Sequence, residues 1–359
     1  PAHNNEAEVI MRRQLTINVI ALAVVLAVAG CLPCADAEAS PRGGGKVVVA
    51  DRASGTISVI STKDHSVASV PLPAGDSQPE PMYVFYAPAH QRVFVGDRAN
   101  SRVVAFNART FEVDGIAPAG AGVFHMWGSR ATGELWVNND IDNTTSVIDM
   151  RTLETVATIE TPVDLVALGG KPHDVIVDSN GFFGYISVIG VAGDDDRLLQ
   201  VDARSFEIVT VVNVGDDPHV SLASGNPYLY VPAQGSDEVN VLDRVTLEPV
   251  ADIPIPGAHG AGMSVNGRYL YTTNLPAGGS DALWVIDTSA NAVVGAPVAT
   301  PFPVPHNIAL TPNGKKIFVT HSGPNDKVSV FATRGGSPAP VLVDDLTVGD
   351  SPFGIYYAP

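Results

Sequence analysis

The chain has 359 residues, 45% apolar and 16% charged, with 34 glycines, 28 prolines and a formal net charge of -17. Such a profile suits many short strands joined by turns and argues against a long-helix bundle or a disordered chain. The acid excess repels phosphate backbones, so no nucleic-acid partner is expected.

Residues 1–10, PAHNNEAEVI, read as an extension upstream of a natural start at Met11. Met11-Arg12-Arg13 followed by the apolar run from Ile17 to Ala29 predicts a signal peptide over residues 11–37, since the run is short for a membrane span. Two processing routes stay open. Val28-Ala29-Gly30-Cys31 resembles a lipobox, with lipidation at Cys31, while Ala35-Asp36-Ala37 fits the small-x-small rule of ordinary signal peptidase. The expected location is therefore outside a bacterial cytoplasm, in the periplasm or anchored to the outer membrane as a lipoprotein, and any membrane contact is through the lipid alone. Residues 38–45 read as a linker. Cys31 and Cys34 are the two cysteines of the chain, so the body has no thiol for disulfides, thiolate metal sites or nucleophilic catalysis.

From Lys46 to Pro359 the sequence repeats. KPHDVIV, DPHVSLA, GAHGAGM and VPHNIAL each open a short apolar strand, and a Gly or Asn turn then leads to a second, as in NPYLYVPA, NGRYLYTTN and NGKKIFVTH. A third strand ends on an acidic residue, as in SVIDMRTLETV and VNVLDRVTLEPV. Counting from Met82 through 125, 173, 219, 259, 306 and 353, the spacings are 43, 48, 46, 40, 47 and 47, the period of a propeller blade. The last copy, SPFGIYYAP, stops after one strand, and its missing strands lie in KVVVADRASGTISVISTKDHSVASVPL. The prediction is an all-β, seven-bladed β-propeller over 46–359, closed by pairing N- and C-terminal strands in one blade so that no edge is left open.

Histidine recurs at the start of the first strand as His125, His173, His219, His259 and His306, with Met82 and Phe353 in the remaining copies. First strands line a propeller's channel, so these side chains should ring one mouth. Neutral imidazoles with a thioether at the margin favour copper, with zinc as the alternative; a metal-free pocket and inherited packing histidines stay open as well. Second strands return to the same face and end on Asp51, Asp97, Asn139, Asn274 and His321. His321 is a further candidate ligand or outer partner, and the four others are candidate substrate contacts. Arg52 and Arg98, each following its Asp, are expected to guide an anionic substrate or else to form surface pairs. Asp174 reads as a turn residue and Trp127 as blade packing.

The P-H-x-x-x-x openings, the Y-L-Y-V and I-F-V-T second strands and the V-I-D turns together resemble the YVTN-repeat, YncE-like propeller family over nearly the whole mature chain. At fold level the resemblance extends to the propellers of nitrous oxide reductase and cytochrome d1-type proteins. It implies the fold and leaves activity open. Three functions follow as expectations: a copper-binding redox enzyme or metal carrier; a non-catalytic module holding an envelope protein or glycan through loops such as GVAGDDDR from Gly190; or a lactonase similar to the propeller 6-phosphogluconolactonases. The chain is expected to act as a monomer on a small molecule or metal ion.

Overall fold

The computed structural model describes residues 44–193, 195–223, 225–275, 281–333 and 338–359. The expected leader, its two expected processing sites and Cys31 lie outside these residues, as does most of the expected linker. Among the described residues no helix is long and apolar enough to cross a membrane.

Seven antiparallel sheets follow one another along the chain, six of four strands and one that carries an extra short strand. Each begins with an inner strand: Pro81–Ala87, Val123–Gly128, Lys171–Val177, Ser221–Leu222, Ala258–Met263 and Pro305–Leu310 open six blades in turn. Pro352–Ala358 opens the seventh, pairing with Lys46–Asp51 so that Val48 faces Tyr356 and Val49 faces Ile355. The blade then continues through Thr56–Ser61 and Val67–Pro71. The closure expected from the split repeat is thus present, and the first and last strands of the propeller share a sheet.

The recurring acidic residue at the end of the third strand makes the outer turn. Asp149 Oδ1 accepts from the amides of Arg151 and Thr152, and Asp202 and Asp243 repeat the pattern on their blades. Leu153, Phe206 and Leu247 then take positive φ in these turns, a strain that packing of the apolar side chain offsets; Leu247 is 2% exposed. The core lies between blades rather than inside one shell. Val47, Ile60, Phe318, Val328 and Ile355, for instance, join the closing blade to the one before it.

The first turn of the inner strand determines the site. In six blades the strand carries one extra residue here relative to its partner: Pro172 faces Val188 but Val175 faces Ile186, and Val123 faces Asn139 but Met126 faces Val137. A β-bulge of this kind turns two consecutive side chains off the regular alternation. Hydroxyls one or two residues before the end of the second strand receive the bulged amides, with Ser187 accepting from Asp174 N, Thr273 from Gly260 N and Thr320 from Asn307 N. Inner strands approach closely here. A Cβ on Gly260 would stand 1.8 Å from the His306 carbonyl oxygen.

Candidate functional site

The bulge revises the histidine register. Counting from the last paired residue before the bulge, the first bulge position holds Met82, Phe124, His173, His259, His306 and Phe353. His219 follows Pro218, which bridges Ala233, and so takes the same place in its blade. His125 is one residue further on, at the second position, beside Tyr83, Asp174 and Asn307. Residue type aligns it with His173, and the strand geometry puts Phe124 there instead.

The five imidazoles nevertheless meet. Ring centroids are 4.9 Å apart for His125 and His173, 4.7 Å for His173 and His219, 3.9 Å for His219 and His259, and 4.6 Å for His259 and His306. Phe353, 4.2 Å from His306, and Phe124, 5.2 Å from His173, complete the circle on the side that lacks histidine. Within it, His125, His173 and His219 each bring a nitrogen within 4.8 Å of the others.

Asp174 organises this group and was missed as a turn residue. One carboxylate oxygen is 2.7 Å from His125 Nδ1, and the other is 3.6 Å from His219 Nδ1 and accepts from the Val220 amide at 2.9 Å. Burial opposes its ionisation, but the His125 charge interaction and the bonds from His125 and His219 outweigh that and hold it well below the usual carboxylate range. Tyr83, also missed, lies with its hydroxyl 2.5 Å from His125 Nε2. Burial, reinforced by the charge of Asp174, pushes its phenol well above its ordinary range, so it stays protonated. Asn307 Nδ2 contacts the Tyr83 hydroxyl, His306 Nδ1 and the Phe353 carbonyl at 3.3, 2.6 and 3.2 Å. The only sequence signal for these three is position: each directly follows a first bulge residue.

Burial and then the neighbouring imidazoles push His173 and His259 well below the ordinary histidine range. Burial also dominates at His306, with His219, His125 and Arg52 adding to it, and burial lowers His125 against the pull of Asp174. These four rings are therefore neutral at pH 7, the state in which imidazole offers a lone pair. His259 is 5% exposed, and neither of its ring nitrogens has a hydrogen-bond partner among the described residues.

Several expected residues stand elsewhere. Met82 is fully buried in an apolar cluster with Phe85, Phe94 and Met126, so its thioether packs the blade interface. His321 is also fully buried, bonded through Nδ1 to the Pro303 carbonyl and through Nε2 to Ser329 Oγ, and it serves its own blade. Asp51, Asp97, Asn139 and Asn274 are at most 1% exposed, which withdraws them from substrate contact. Their side chains tie down adjoining turns and third strands: Asp51 accepts from Thr56 and Ser58, Asp97 from Arg102 and the Glu80 amide, and Asn274 from the Ala282 amide, while Asn139 donates to Thr144 and Ser146.

Arg52 and Arg98 do lie by the ring. Arg52 pairs with Glu80 at 2.7 Å and covers the Phe353 ring at 5.4 Å; Arg98 pairs with Asp140 at 2.8 Å and covers Phe124 at 5.6 Å. Both guanidiniums thus flank the aromatic arc. Trp127 packs against Phe85 and Tyr356 on inner strands.

The chain is a seven-bladed β-propeller with a histidine-lined channel mouth. Among solved structures it is similar to the periplasmic gluconolactonase PpgL of Pseudomonas aeruginosa, at 16% identity over 88% of this chain and 99% of that one, with a TM-score of 0.71. A candidate 6-phosphogluconolactonase of Bacteroides fragilis shares 16% identity over 89% and 99% of the two chains at a TM-score of 0.70. Hydrazine synthase of Kuenenia stuttgartiensis shares 16% over 77% and 89% at 0.66. At these identities the likeness concerns the fold. No family model and no curated protein matches the chain.

Proposed function

We propose that the channel mouth is a transition-metal centre held by His125, His173 and His219, on an exported propeller of the YVTN-repeat kind. One observation carries the reading: three imidazoles converge around a partly buried carboxylate that addresses two of them from behind. Asp174 fixes His125, and more loosely His219, with Nδ1 as the proton-bearing nitrogen, the arrangement that orients metal-binding histidines. His173 Nε2 and His219 Nε2 are 3.3 Å apart. Metal–nitrogen bonds of about 2.05 Å at a tetrahedral angle would set two ligands about 3.3 Å apart, so this pair fits without rearrangement. The all-imidazole donor set suits copper or zinc. A bound ion would supply Lewis-acid or, as copper, redox chemistry at a position left open by three ligands. Arg52 and Arg98 would draw an anionic substrate towards it.

Elemental analysis of chain exported to a periplasm and purified without a histidine tag tests the reading. About one equivalent of copper or zinc is expected, falling to background in the His173→Ala, His219→Ala double variant while circular dichroism is unchanged. Metal-free wild-type protein, or a double variant with the wild-type content, refutes it.

A second reading, opening of a small lactone, is favoured by the likeness to a periplasmic gluconolactonase over 88% of this chain. Proton release from D-glucono-1,5-lactone above the spontaneous rate would support it. Loss of that activity on chelation and in His173→Ala would place it at the same centre, and its absence in metal-loaded protein would reject it.

A further inference from the structure

The three imidazoles are not equally free to take an ion. A carboxylate only accepts, so the 2.7 Å contact with Asp174 puts the proton of neutral His125 on Nδ1 and leaves its lone pair on Nε2. That lone pair is already engaged, because the Tyr83 hydroxyl lies 2.5 Å from Nε2 and has it as an acceptor. An ion bonded to Nε2 would sit about 2.0–2.1 Å from it along the lone pair, in the space the phenol oxygen fills. Turning the O–H bond alone does not clear that space; the oxygen itself has to leave.

We infer that Tyr83 is the gate of the three-histidine centre: its hydroxyl caps the coordination position of His125, and an ion reaches that nitrogen only after the phenol has swung away. The inference rests on the metal reading of the site. His173 and His219 face each other through Nε2 at 3.3 Å, a contact that an ion replaces by binding both, so it first binds at this pair and His125 closes the set.

The surroundings make the swing slow as well as costly. The Tyr83 ring lies 3.7 Å from the His125 ring, meets Phe124 and Phe353 edge-on at 5.9 and 5.5 Å, and its oxygen is 3.3 Å from Asn307 Nδ2. Leaving therefore breaks two polar contacts and disturbs an aromatic arc that closes the ring.

Tyr83→Phe removes the cap and keeps the ring. Full-length mature wild type and variant, both stripped with chelator and shown by circular dichroism and thermal melting to be folded, are titrated with Zn2+ against a chromophoric chelator and loaded by stopped flow. The variant should bind Zn2+ about two- to tenfold more tightly, the range of one exchanged hydrogen bond, and should load faster. Equal affinity and equal loading rates overturn the gate while leaving the centre standing. Weaker binding in the variant also overturns it, since Tyr83 would then be helping to hold the ion. If neither protein takes up Zn2+, the centre itself fails and the gate with it.

Discussion

Acid should destabilise the metal-free propeller in an unusual window, between pH 7.5 and 5.5, where carboxylates contribute little. His259 and His306 are buried, His173 is largely so, and all three are held well below the ordinary histidine range, so the folded protein keeps them neutral while the unfolded chain protonates them near pH 6.5. The unfolded state then binds more protons, and stability falls as pH falls. Each such imidazole loses about 1.4 kcal/mol across this window, or about 4 kcal/mol for three, and His125, also lowered by burial, adds to the loss. Asp51 works the other way. Burial pushes its carboxyl up to about 6, so the folded state takes up a proton first and regains about 1 kcal/mol. Asp174 has a lowered value; its contribution is present above the unfolded carboxylate pKa and disappears only at far lower pH, outside the window. The net loss is about 3 kcal/mol, a large part of a typical domain's stability. Urea unfolding at the two pH values, with chelator present, measures it. His259→Gln should remove about 1.4 kcal/mol of the loss. A free energy of unfolding that is flat or higher at pH 5.5 would refute the burial argument.

Asp174→Asn, which keeps shape and loses charge, should lower metal affinity about 10- to 100-fold with the fold retained, read by competition titration. Ile355→Asp puts an unpaired charge into the buried closing blade, where Ile355 is 7% exposed; a loss of about 3–5 kcal/mol is expected by denaturant unfolding. Gly260→Ala drives a methyl into the His306 carbonyl, and the resulting shift of strands should cost about 1–3 kcal/mol, seen as a lower melting temperature.

The repeat period, the V-I-D turns and the orphan C-terminal strand were enough to determine a seven-bladed closed propeller. Each is a local signal, repeated, and blades of one kind stack in one way. The gathering of histidines at one mouth was legible for the same reason, since the polar first side chains of the inner strands turn into the channel, whereas the apolar Met82 at the same position packs between blades.

What tertiary structure alone decided is which imidazoles share a centre and what stands behind them. A bulge adds one residue to the inner strand, and alignment by residue type carries no record of it, so His125 was set level with His173 although Phe124 holds that place. The same bulge turns Asp174, Tyr83 and Asn307 inward, and their partners lie as far as 224 residues away along the chain. Asp51, Asp97, Asn139 and Asn274 show the converse. Their polarity and face were read correctly, yet a polar residue on the right face can serve its own blade or a ligand, and only burial and hydrogen-bond partners distinguish the two.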